Sequence, residues 1–181
     1  LRLSRRWLLV PYTIIAAGLF AGYLRWSGLD PVTLLRQSWI WGAAGAVLLS
    51  LVLILNIRAQ PASDRTHGGA LALDLLWSGA VYGAVDGLLL SVLPVLATWQ
   101  AGAALGLPAT LPGQLLAGGI GFLASLFVTA AYHGGYSEFR GPRMKTALLG
   151  NGVMSLGYLL TTNPITAVAS HAAMHIAAVL H

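Results

Sequence analysis

Two histidines four residues apart, His171 and His175, lie in an otherwise apolar run from Pro164 to Leu180. On a helix that spacing projects both imidazoles from one face, about 6 Å apart along the axis. Neutral imidazoles so placed can share one divalent cation, and a carboxylate with a third imidazole would complete a tetrahedral zinc site or an open site with water. Asp86, buried in another apolar run, and His133, at the end of a further one, have the right chemistry, so His171, His175, Asp86 and His133 form the candidate metal set. The same groups also allow cation-free catalysis, in which a histidine oriented by Asn151 or Asp86 acts as general base toward water. A third role is hydrogen bonding between helices, with His171 on Ser155 and His175 on Asn151.

Ionisable groups at bilayer depth are costly, which is why these few residues draw notice in so apolar a chain. Only 8% of the 181 residues are charged and 57% are hydrophobic, with a mean hydropathy of +0.76. That composition excludes an ordinary soluble domain and predicts an all-α polytopic membrane protein, one integral helical domain over residues 1–181. Cysteine is absent, which excludes disulfides, thiolate metal sites, iron–sulfur clusters and cysteine nucleophiles. The termini need not be those of the complete protein, and no cleavable signal peptide is expected.

Apolar runs bounded by turn or charge signals fall at Trp7 to Leu24, Ser38 to Ile57, Leu71 to Thr98, Gln114 to Tyr132, Thr146 to Thr162 and Pro164 to Leu180. Six transmembrane helices follow. With the N-terminus cytoplasmic, Arg2, Arg5, Arg6, Arg58, Arg65, Arg140, Arg143 and Lys145 lie inside and only Arg25 and Arg36 outside, so the bundle is expected N-in and C-in. The net charge of +5 is on this reading a topology signal rather than a nucleic-acid footprint, and no nucleic-acid partner is expected. Trp7, Trp26, Trp39, Trp41 and Trp99 sit near run ends as interfacial anchors. The third run is too long for a straight perpendicular helix and predicts tilt or a break, with Asp74 near the cytoplasmic interface.

Small residues mark expected helix contacts: Gly18 with Gly22, and Gly79, Gly83 and Gly87 at every fourth position. Tyr82 and Asp86 share the face of that second stripe, which turns the carboxylate into the bundle. Asn151, Ser155, Tyr158 and Thr162 form one polar stripe on the fifth run. Runs five and six are joined only by Thr162, Asn163 and Pro164, so residues equidistant from Asn163 lie level; this sets Asn151 beside His175 and Ser155 beside His171. Asp86 falls between the two histidine levels. Beyond His133, the segment Gly134 to Arg140 is flexible enough to fold over a cytoplasm-facing cavity, with His133 and Glu138 at its mouth and Glu138 as an auxiliary acid–base group. His67, in a polar loop, is read as solvated, and His181 is turned about 240° from the pair's face.

Asn163-Pro164 followed by His171-Ala-Ala-Met-His175 resembles the late histidine motif of the CPBP family, the CAAX-protease and bacteriocin-processing group of intramembrane endopeptidases. In that motif a histidine is followed four residues on by Asn or Asp; here the position is His175. The family's paired glutamates and arginine are matched only by the single acid Asp86, and its Phe-to-His motif only at His133, with Thr129 four residues before it. The resemblance implies a helical bundle with a cytoplasm-facing, water-activating site, in a repurposed relative rather than an active CAAX protease.

The expected function is thus a CPBP-like membrane hydrolase or metal-assisted peptidase, with Asp86, His133, Glu138 and Asn151 as catalytic candidates and a divalent metal such as zinc as cofactor. The alternatives are an accessory subunit of a larger membrane complex, haem or pigment binding, and a proton or metal-ion carrier. Expected partners are the lipid bilayer and other transmembrane subunits, in a bacterial inner (plasma) membrane.

Overall fold

The computed structural model describes residues 5–62, 64 and 66–181, so Arg2 and Arg65 of the charge tally lie outside the described residues. Among the described residues regular structure is helical throughout, with no strand. The helices are α1 (Arg5–Ser27), α2 (Pro31–Arg36), α3 (Trp39–Arg58), α4 (Gly69–Ala104), α5 (Leu111–Gly134), α6 (Pro142–Thr161) and α7 (Ile165–Leu180). Each of the six predicted runs falls on one helix, five of them long and the sixth, α7, shorter. The short α2 was not foreseen; Asp30 caps it, accepting from the Val32 and Thr33 amides, with Pro31 in the first turn, where its missing N–H costs nothing.

Four helices are long and apolar enough to cross a membrane: Leu9–Ser27 within α1, α3, α4 and α5. α7 is equally apolar but has 16 residues, or about 24 Å against a hydrocarbon core of about 30 Å. α6 has the length, yet Arg143, Lys145, Asn151 and Ser155 dilute its apolar character. Large apolar side chains including Ile14, Leu48, Leu55, Leu115, Phe127 and Leu160 point outward, the surface expected of helices that meet lipid rather than water.

α4 runs unbroken for 36 residues, but two stretches, Leu75–Val81 and Gly87–Val92, are wound as π-helix. The expected break is therefore two local unwindings that flank Tyr82–Asp86. Such wide turns recur at functional sites because they re-aim side chains without ending the helix.

α7 is the hub, packing on α3, α4 and α6. The α4 glycine stripe lies directly against it: a Cβ on Gly83 would come within 2.8 Å of Ala172 Cα, and one on Gly87 within 2.9 Å of Val168 Cα. Gly18 and Gly22 behave otherwise. No atom lies within 4 Å of where either Cβ would be, because α1 meets the bundle through a different face, where Leu9 and Ala16 are buried. The α6–α7 turn is pinned by Asn163, wholly buried, whose Nδ2 donates to the Leu35 and Gln37 carbonyls (2.9 and 2.6 Å) while Oδ1 accepts from the Ile165 amide.

Candidate metal centre

Asp86 occupies the regular turn between the two π-helical stretches of α4, and the glycines on its face let α7 approach until the histidines stand over the carboxylate. His175 Nε2 lies 3.7 Å and His171 Nε2 4.0 Å from Asp86 Oδ2. One ligand atom from each of the three residues lies within 4.8 Å of the others. These separations exceed hydrogen bonds. A metal about 2.1 Å from each of two tetrahedral ligands holds them about 3.4 Å apart, so the two carboxylate–imidazole pairs must contract by well under 1 Å, while the widest separation, up to 4.8 Å, must close by more than 1 Å. A buried Asp/His/His group that could hold a metal ion is thus present. Asp86 is 2% exposed and the His171 side chain 5%, while His175 keeps 20% and forms the accessible edge.

The imidazoles are stacked, with centroids 5.2 Å apart and planes within 10°. The edge of Tyr82 packs on His175 at 4.9 Å. His171 Nδ1 is buried without a hydrogen-bond partner among the described residues; stacking and the close passage of Gly87 beside its Cβ hold the ring where a carboxylate or carbonyl ordinarily would.

Tyr12 of α1 donates its hydroxyl to Asp86 Oδ1. Its ring packs on Tyr82 and Tyr132, 5.5 and 5.3 Å away, and those two share a 2.8 Å hydroxyl bond that Tyr136 extends at 3.3 Å. Sequence reasoning missed Tyr12, Tyr132 and Tyr136. The available signal was the position of Tyr12 inside an apolar run, where a phenol normally needs a partner.

His133 is not brought to the cluster. Its Nδ1 bonds the Thr129 carbonyl one turn back at 2.9 Å, and its ring is wedged between Tyr132 and Phe139. The segment after it does fold back over the end of α5, but Tyr136 and Phe139 make the contacts, and Glu138 is exposed in the short turn Ser137–Phe139. His67 is exposed. His181 bonds the Gln60 carbonyl at the end of α3.

Asn151 and Ser155 turn to neither imidazole. Asn151 Nδ2 donates to Thr129 Oγ1 (2.7 Å) and Ser125 Oγ (2.9 Å), and its Oδ1 accepts from Ser91 Oγ at 2.7 Å. Ser155 bonds Ser125 at 2.6 Å and Ser91 at 3.1 Å. Ser125 also donates to the carbonyl of Leu90, within the second π-helical stretch. This wholly buried polar core ties α4, α5 and α6 together beside the metal group.

An apolar cavity of about 290 Å³ between α1, α2, α4 and α7 reaches Leu88, Val168 and Ala172; His171 is not in its lining. No family model matches the chain, and comparison with curated proteins and with solved structures yields no match. What the fold and site define is an all-helical protein with membrane-length apolar helices and a buried carboxylate–imidazole group able to hold a cation.

Proposed function

We propose that the protein is a polytopic membrane hydrolase that binds one divalent cation, zinc by the chemistry of its ligands, at Asp86, His171 and His175. The observation that carries this reading is the convergence of three ligand atoms from two helices in a buried setting. A three-residue set leaves a coordination position for water, the arrangement of catalytic rather than structural zinc, and the cation would supply a water of lowered pKa and an electrophile for a carbonyl. Tyr12 holds the carboxylate by Oδ1 and leaves Oδ2 toward the histidines. The accessible edge of His175 admits water, and the apolar cavity lined by Leu88, Val168 and Ala172 suits a membrane-resident, apolar segment. On this reading the chain is a repurposed relative of the CPBP-like intramembrane peptidases, its five long helices and the shorter α7 span a bacterial inner membrane N-in and C-in, and Asn151 serves packing rather than chemistry.

The test is metal content by mass spectrometry on detergent-purified protein, parent against His171→Ala plus His175→Ala, with thermal unfolding showing both folded. Near-stoichiometric zinc lost in the variant supports the reading; absence of metal from the parent after zinc reconstitution sinks it. A second reading, a subunit of a larger membrane complex, is favoured by the open, four-spaced Gly18 and Gly22 face of α1, which a neighbouring transmembrane helix could approach closely. Cysteine cross-linking along that face in native membranes decides it.

A further inference from the structure

At the end of the bundle where α1 and α6 finish, a second cavity of about 370 Å³ opens between the Gly28–Gln37 segment, the last turns of α4 and the end of α6. Its polar lining comes from Asp30, Thr33, Gln37, Trp99, Gln100, Tyr158 and Thr162. Among the described lining residues Asp30 is the one formally charged group, with Arg36 outside the lining but close enough to act on it. The carboxylate caps α2, with Oδ2 accepting from the Thr33 amide and hydroxyl and Oδ1 from the Val32 amide. A carboxylate offers about four lone-pair sites, so Oδ1 keeps one for a ligand.

Three further observations point to what that ligand is. Tyr158 is only 6% exposed yet lines the cavity, and a Tyr hydroxyl there can donate to or accept from a ligand. Gly28 and Thr162, also in the lining, stand just past the C-terminal ends of α1 and α6, where the last carbonyls, several already accepting from Ser27, Leu29, Thr161 and Thr162, form the negative end of each helix dipole. The aromatic faces of Trp99 and Tyr158 attract cations as well.

We propose that this cavity binds an organic ammonium group: the amine sits between Asp30 and the rings of Trp99 and Tyr158, and an attached phosphate or hydroxyl takes the Gln37 and Gln100 amides. Its place near the interfacial Trp99 makes an ethanolamine lipid headgroup one source and a free amine the other. Trp99 lies 13 residues along α4 from Asp86, roughly 20 Å, and the site stands whether or not Asp86 holds metal.

The experiment is native mass spectrometry of the full chain released from nanodiscs containing equal phosphatidylethanolamine and phosphatidylglycerol, with a parallel titration of soluble glycerophosphoethanolamine. Asp30→Asn is the first variant, because Asn caps a helix as well as Asp but carries no charge; Trp99→Leu is the second. The parent should retain phosphatidylethanolamine selectively, and each variant should lower that retention about tenfold while leaving phosphatidylglycerol unchanged. Binding of the soluble headgroup as well assigns free amines as ligands; retention of the lipid alone assigns the bilayer. Equal retention of the two lipids by the parent, or ethanolamine retention that survives Asp30→Asn, overturns the proposal.

Discussion

The hydroxyl of Tyr12 on α1 donates to Oδ1 of Asp86 on α4, while Oδ2 of the same carboxylate faces His175 Nε2 at 3.7 Å. A bond from a third helix thus holds the oxygen that does not face the imidazoles. It also lowers the cost of an ionised carboxylate that is 98% shielded, since a buried anion is tolerable only with donors or a cation around it.

Tyr12→Phe removes that donor and keeps the ring that packs on Tyr82 and Tyr132. Losing an outer hydrogen bond to a metal-ligating carboxylate costs about 10–100-fold in metal affinity. A competitive chelator titration should read a loss in that range, and Tm of the metal-free protein should fall as well, since a buried carboxylate that loses a donor costs about 1–3 kcal/mol. An unaltered affinity would remove Tyr12 from the site.

Gly83→Ala should push α7 away from α4, because the new methyl would sit 2.8 Å from the backbone of Ala172 and 3.1 Å from His175 Cβ. Neither can swing aside as a flexible side-chain tip could. Overpacking of this kind costs about 1–3 kcal/mol, and here it also separates the histidines from Asp86, so zinc content should fall along with Tm. Gly18→Ala is the control: it meets nothing within 4 Å and, replacing glycine inside a helix, should leave stability unchanged or raise it slightly. Equal effects from the two substitutions would show that the stripe does not set the approach of α7.

The helical pattern, the His171–His175 pair and the inward Asp86 were legible in the sequence because each rests on spacing within one helix. The partners of Asn151 were not. Counting from the Asn163 turn gives the level of a residue but not its direction around the helix axis, and direction decides which neighbour it meets. The two π-helical stretches of α4 compound the difficulty: each wider turn accommodates an extra residue and shifts everything beyond it away from the 3.6-residue period. Ser91 and the Leu90 carbonyl face Asn151 beyond the second stretch's start. Likewise, the affinity of His133 for its own helix carbonyl is a local bond that competes with any distant ligand role, and spacing alone cannot rank the two.

Asn151→Leu should destabilise the fold without emptying the metal centre directly. The substitution takes one bond each from Ser91, Ser125 and Thr129; Ser125 and Thr129 keep the Leu90 and Ser125 carbonyls as acceptors, whereas the Ser91 hydroxyl loses the acceptor of its proton, and one buried donor left unsatisfied costs about 1–3 kcal/mol. A lowered Tm with zinc stoichiometry retained at a temperature where the variant is folded is the expected result. Loss of zinc from a fully folded variant would return Asn151 to the role of orienting an imidazole.

Acid should loosen α2 before it unfolds the bundle. The Asp30 carboxyl is held below its usual range, first by the Thr33 hydroxyl and then by the Thr33 amide. A carboxylate with a depressed folded-state pKa contributes stability that is fully present above its unfolded pKa of about 3.9 and disappears as pH falls through the lower folded value. The α2 cap should therefore be indifferent between pH 7 and pH 5 and fade below about pH 4. Amide hydrogen exchange at Val32 and Thr33, the two residues whose N–H groups Asp30 accepts, reads this directly once corrected for intrinsic exchange. In Asp30→Asn the cap remains but the titration vanishes, so protection at those amides should become independent of pH over the same window; an acid transition that persists in that variant would assign it to another group.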